Sequence, residues 1–262
     1  MVMKMKNDRK HLEETFKQYT DQYDISDPKI KLKVDHTYRV AKLCEEIAQS
    51  IGLSAEDVEI AWVCGMLHDI GRFEQVKRYG TFFDNVSVDH AQFGAYLLFC
   101  EGLYEKFVLC KDVEQKELVE KAIRVHNVFR IPEDISERER TFANILRDAD
   151  KIDILRVNCE TPSEEVYNVT TQELKNAEVS EDVKEAFYER RCAKRHDKTS
   201  AVDFLVGHVC LTFELVYKRS VQIVYEQGYL FKLLEFTSNN EKTNEWFQYM
   251  RDEIQKIHDE LL

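Results

Sequence analysis

The residues best suited to chemistry are His68 and Asp69. They close the apolar run Val63-Cys64-Gly65-Met66-Leu67 and are followed by Ile70-Gly71-Arg72. Adjacent His and Asp side chains offer one nitrogen and one oxygen ligand from a single turn, a pairing that suits a borderline-to-hard divalent cation. A bare His-Asp pair is weak evidence, and this chain has three of them: His68-Asp69, His196-Asp197 and His258-Asp259. The last two have polar neighbours and read as helix surface. Only the first follows a segment apolar enough to carry it inward, where the buried carboxylate requires partners.

Further histidines strengthen the case. His36, His90 and His126 each fall on the apolar face of a different predicted helix, alongside Val40 and Leu43, Phe93 and Leu97, and Val119 and Ile123 respectively. A lone inward histidine is more often a satisfied core residue, and His208, set among Leu205, Val209 and Leu211, is read that way. His11, His196 and His258 have polar surroundings. Four inward imidazoles on four segments, one beside an aspartate, point to convergence on a metal, because a cation removes the repeated cost of burying them. A further acid is expected in Arg147-Asp148-Ala149-Asp150-Lys151-Ile152-Asp153. Helix phase favours Asp150, flanked by Leu146 and Ile154, but leaves Asp148 open. Without the histidines this run would read as a solvated charged face.

Those segments must be helices. Only 8 glycines and 3 prolines occur in 262 residues, 33% of which are charged, and strand signals are nearly absent. A polar lead-in over 1–26 carries Leu12, Phe16 and Tyr19 on one sparse face. Asp27-Pro28 opens a helix that ends at Gly52, and Ser54 caps the next, which delivers His68 and Asp69 at its end. Residues 72–85 have no clean period and read as a loop or short turn, locally basic and aromatic; Phe82 and Phe83 could stack on a base or cover the site, with core packing the favoured reading. A helix is expected over about 87–103, another from about Val113 to before Pro132, and a fifth over 137–158 behind the capping box Ser136-Glu-Arg-Glu139. Beyond Thr161-Pro162-Ser163 lie a helix near 181–193, a long apolar helix over 201–227 and an amphipathic helix from about 241.

Composition narrows the function. The formal net charge of −12 argues against a nucleic-acid polymer as partner, but leaves room for a small phosphate compound held at a local positive site. Seven scattered cysteines without a Cys-x-x-Cys spacing suggest reduced thiols. The start lacks an apolar targeting segment, and the longest apolar run, 61–67, is too short to cross a bilayer. A cytoplasmic protein without a membrane partner is expected.

The order His36, His68-Asp69, His90, His126, Asp150 resembles the HD superfamily of metal-dependent phosphohydrolases. The phrases His68-Asp69-Ile70-Gly71-Arg72 and Asp148-Ala149-Asp150-Lys151-Ile152-Asp153 look like its central and closing motifs. The resemblance covers about residues 30–155. It implies an all-α fold, an HD-domain helical bundle with additional C-terminal helices. The expected organisation is one domain over 1–262, with the metal-site core at about 27–160 and a helical extension at about 161–262; the only boundary signal, a weak one, lies at 160–180.

The resemblance also selects Asp150 over Asp148. It implies two divalent transition-metal ions (Fe, Mn, Co, Ni or Zn), with His36, His68 and Asp150 on one, His90 and His126 on the other, and Asp69 bridging. A metal-activated hydroxide would then cleave a phosphoester or phosphoanhydride bond of a nucleotide or other small phosphorylated compound, with Arg72 and Lys151 as candidate phosphate-binding cations and Lys77 and Arg78 behind them. Two other readings share this ligand set: a diiron oxygenase on the same fold, and a nucleotide-binding metal protein without turnover.

Overall fold

In the computed structural model the backbone is described for residues 2–261 and the side chains for residues 9–259. All regular structure among them is helical, as the composition predicts. The chain divides into two compact units, the first ending at Asp150 and the second beginning at Lys151. The division falls inside one helix, ahead of the 160–180 stretch that the sequence marked.

The first unit contains α1 (Val2–Thr20), α2 (Pro28–Ser50), α3 (Ala55–Leu67), α4 (Ile70–Tyr79), α5 (His90–Ala95), α6 (Tyr104–Phe107), α7 (Val113–Arg124) and the start of α8 (Glu137–Glu160). The expected start signals operate. Asp27 accepts from the Lys29 amide with Pro28 at the first helical position, and Ser54 accepts from the Asp57 amide. Ser136 and Glu139 exchange reciprocal side-chain-to-amide bonds at the head of α8. Leu12 and Phe16 on α1 are buried, as their sparse stripe requires.

Four expectations for this unit need correction. The helix expected from about Val113 to before Pro132 ends at Arg124, which leaves His126 in the turn after it rather than on a helix face. Residues 72–85 are not all loop: α4 occupies most of the stretch and stops at Gly80 in the left-handed region. Its inward face is Ile70, Phe73 and Val76 with fully buried Gln75, and that polar residue on the core side hid the period. Phe82 and Phe83 are half-buried rather than core. The helix expected at 87–103 is α5, starting behind Asp89 as cap, followed by a π-helical turn, Tyr96–Cys100.

Two glycine contacts position the functional segments. A Cβ on Gly65 of α3 would stand 2.5 Å from the Ala41 Cα of α2. The two backbones therefore meet there, which brings His36 beside His68. A Cβ on Gly71 would stand 2.5 Å from the His90 carbonyl and 2.7 Å from the Gly94 amide, so α4 meets α5 just after the His68-Asp69 turn.

The second unit contains the rest of α8, then α9 (Ser163–Tyr167), α10 (Thr171–Asn176), α11 (Glu181–Tyr188), α12 (Asp203–Cys210), α13 (Lys218–Gln227), α14 (Tyr229–Leu234) and α15 (Glu241–Leu261). The single apolar helix expected over 201–227 is instead α12, a 3-10 turn at Leu211–Glu214 and α13. A run apolar on most sides carries no period to locate such a break. His208 is half-buried rather than core, its ring stacked on that of Tyr167 at 5.5 Å and its Nδ1 3.3 Å from the Tyr167 hydroxyl. Burial pushes its pKa down to about 3.

Because no relaxation short of parting α2 from α3 makes room for a methyl group, Gly65→Ala is expected to destabilise the protein by about 1–3 kcal/mol. Urea denaturation would register this as a lower midpoint. An unchanged midpoint would contradict the close approach.

Candidate metal centre

His36 projects from the third turn of α2, and His68 and Asp69 lie between α3 and α4. His90 is the first residue of α5, His126 follows α7, and Asp150 lies on α8. His36, His68, Asp69, His90 and His126 are all buried, the last two at 5% exposure. These distant stretches converge on Asp69. Its Oδ2 is 3.6 Å from His36 Nε2 and 3.5 Å from His68 Nε2, while its Oδ1 is 3.6 Å from His90 Nε2. Asp150 Oδ1 is 3.1 Å from His36 Nε2 and 3.9 Å from His68 Nε2. His90 and His126 face each other with their Nε2 atoms 3.0 Å apart. Two buried donor groups could each hold a metal ion, His36-His68-Asp69 and Asp69-His90-His126, and they share the aspartate.

Hydrogen bonds fix the tautomers. His68 Nδ1 lies 2.7 Å from the Gly65 carbonyl and His126 Nδ1 2.7 Å from the Ile123 carbonyl, so each ring donates from Nδ1. His90 Nδ1 donates to Asp84 Oδ2 at 2.6 Å. Each neutral ring therefore presents a bare lone pair at Nε2. Burial holds these rings neutral. It pushes His90 down to about 4, with the nearby Arg72 charge adding to the effect, and His126 down to about 4, with His68 adding. His68 is lowered for the same principal reason. Two lone pairs thus confront each other at 3.0 Å without a proton between them at neutral pH, a repulsive arrangement that a shared cation converts into ligation. The donor set fits a divalent metal.

The carboxylates are prepared in the same sense. Burial alone would raise Asp69, but Lys33 and then His68, Arg72 and His90 hold it well below the usual carboxylate range. Asp150 is likewise held low against burial, by its hydrogen bond with His36 and the facing imidazoles.

Several supporting residues were not singled out by the sequence. Asp84, in the loop after α4, orients His90 as a carboxylate partner behind a ligand histidine. Gln75 fixes that loop, donating from Nε2 to Asp84 Oδ1, Ser87 Oγ and the Val88 carbonyl. Arg147, read from the sequence as part of a charged run, is buried. Its guanidinium donates to the carbonyls of Val125, His126 and Val128, which ties the His126 turn to the helix carrying Asp150. Lys33 lies one turn before His36 and sets its Nζ 2.6 Å from Asp69 Oδ2. Its i−3 spacing from a ligand histidine was the one available clue.

The candidate cations divide. Arg72 reaches the site, its Nε 3.5 Å from Asp69 Oδ1, but its Nη1 is engaged by Gln75, the Phe82 carbonyl and Asp84. Lys151 is paired with Glu214 Oε2 at 3.3 Å. Lys77 and Arg78 pair with Glu74 at the surface. Asp148 is fully buried; neither it nor Asp150 belongs to the two donor groups, and Asp150 reaches the site through its contact with His36.

A family model described as the HD domain matches residues 34–201, well over half of the chain and all six residues of the site. The chain belongs to the HD-domain family. The match runs past residue 155, where the recognisable motifs end, and stops just before α12. No curated protein and no solved structure matches the chain. Among the described residues no helix is long and apolar enough to cross a membrane.

The imidazoles of His90 and His126 titrate near 6.5 in an unfolded chain and near 4 in the fold, so the unfolded state binds more protons across that interval. Stability of the metal-stripped protein is therefore expected to rise from pH 4 to about 6.5 and to be lost as pH falls back through the same window. Urea midpoints measured across that range check this. A flat profile there would mean that the two rings are not buried as neutral groups.

Proposed function

We propose that this protein is a phosphohydrolase with a binuclear metal site that cleaves a phosphoester or phosphoanhydride bond of a small phosphorylated compound, with a nucleotide as the favoured class. The observation that carries the reading is Asp69: one buried carboxylate whose two oxygens face two separate groups of imidazoles. His36, His68 and Asp150 would hold one ion, His90 and His126 the other, with Asp69 shared between them. Bound divalent ions supply an acidified water at neutral pH and positive charge against phosphate oxygens.

The chain's own residues prepare that chemistry. The backbone carbonyls of Gly65 and Ile123 and the carboxylate of Asp84 keep the protons on Nδ1, so that every Nε2 of these rings faces the site with its lone pair. Arg72 acts as a positioning residue. Its contacts to Gln75, Phe82 and Asp84 hold the loop that aligns His90, and its charge helps keep Asp69 ionised. Lys151 is paired with Glu214 and is given no role in phosphate binding. A small substrate accords with the acidic balance of the chain.

The test is phosphate release from a panel of nucleotides and phosphomonoesters, with manganese, iron, cobalt or nickel added to chelator-stripped protein. Activity is expected to require metal and to vanish in His68→Ala and Asp69→Ala while circular dichroism shows the helical content retained. Metal-loaded protein that releases no phosphate but takes up oxygen, with a mixed-valent iron signal, would replace this reading with the oxygenase one.

A further inference from the structure

Asp69 carries a cation on each of its oxygens, and the two cations are held very differently. Arg72 approaches Oδ1 while Gln75, the Phe82 carbonyl and Asp84 fix its guanidinium. Lys33 approaches Oδ2 with its Nζ at 2.6 Å. Beyond that carboxylate, the contact shown for the ammonium is the face of Phe82, 5.5 Å from the ring centroid. The Lys33 side chain is 16% exposed against 3% for Asp69, so it borders solvent beside a buried carboxylate.

The oxygen that Lys33 occupies is the one facing His36 and His68, at 3.6 and 3.5 Å. An ammonium and a divalent cation cannot share that oxygen at close range without strong repulsion. Arg72 cannot leave without abandoning Asp84 and Gln75. Lysine, a point charge on a flexible stem with rotatable donors, can move. Charge balance indicates its destination. Arg72 has Asp84 as a second carboxylate, whereas Lys33 has none among the described residues. Once a metal takes Asp69, Lys33 is a positive charge without a counter-ion at the mouth of the site.

We propose that Lys33 is a phosphate-binding residue that Asp69 holds in reserve: it neutralises the carboxylate in the metal-free protein and turns to a dianionic substrate phosphate once metal is bound. The inference rests on the metal-site reading above and specifies a terminal phosphomonoester as the preferred ligand. Phe82 forms the wall along which the ammonium moves, and its ring face stabilises the charge in transit.

The experiment compares wild type, Lys33→Met and Lys33→Arg by calorimetric titration of manganese into stripped protein, then of inorganic phosphate into manganese-loaded protein. Lys33→Met is expected to bind manganese several-fold more tightly and phosphate about tenfold or more weakly, the loss of one charge-assisted hydrogen bond. Lys33→Arg should recover most of the phosphate affinity. In the wild type, reductive methylation of Lys33, followed by peptide mass spectrometry, should be slow without metal, faster with manganese and slow again with phosphate; this arm needs no variant to fold. If Lys33→Met matches wild type in both titrations, or methylation ignores manganese, the inference falls while the metal site stands. If wild type binds manganese but no phosphate, the phosphate role falls alone. If wild type binds no manganese, the metal-site reading fails and takes this inference with it.

Discussion

The structure depends on keeping the Asp69 carboxylate ionised where water hardly reaches it. The residue is only 2% exposed, and a carboxylate in that position must be compensated or become protonated. The fold compensates it on all sides: Lys33 on one oxygen, Arg72 on the other, and imidazoles from α2, α5 and the α3–α4 turn around both. These arrangements serve the metal-free protein, and they also leave a strongly negative group encircled by neutral nitrogen donors, which is a setting for a cation. The same burial that threatens the carboxylate keeps the imidazoles unprotonated, so a single physical condition prepares both kinds of ligand.

The rest of the first unit can be understood as holding five distant segments against that carboxylate. Backbone contact at Gly65 and Ala41 sets α2 against α3, and contact at Gly71 and Gly94 sets α4 against α5. The second contact explains why a glycine follows the His-Asp pair so closely: a larger residue at position 71 would push the His90 backbone away from Asp69. Arg147 does for His126 what the glycines do for His36 and His90, by hydrogen bonding rather than by close packing.

Much of this was legible in the sequence. The His68-Asp69 pair behind an apolar run, the inward phase of His36 and the caps at Asp27, Ser54 and Ser136 rest on local pattern, and local pattern survives folding; His90 and His126 are buried as expected, but at the first residue of α5 and in the turn after α7 rather than along helix faces. Asp150 needed the family resemblance, because helix phase alone left Asp148 open. What escaped was set by tertiary contact. Gln75 looks like a surface residue until α4 packs, and its presence on the inward face concealed the helix. Asp84 acquires its role only when the loop closes over His90. Lys33 resembles any other helix lysine until α3 brings Asp69 beside it. The break between α12 and α13 was invisible because most residues there are apolar.

The central claim is that one buried carboxylate joins two cation sites. Electron paramagnetic resonance of the protein loaded with manganese, quantified against metal content, tests it most directly. Two manganese ions per chain with an exchange-coupled spectrum would be the signature of ions bridged through Asp69, and this is the predicted result. A single ion per chain, or two ions with uncoupled spectra, would contradict it.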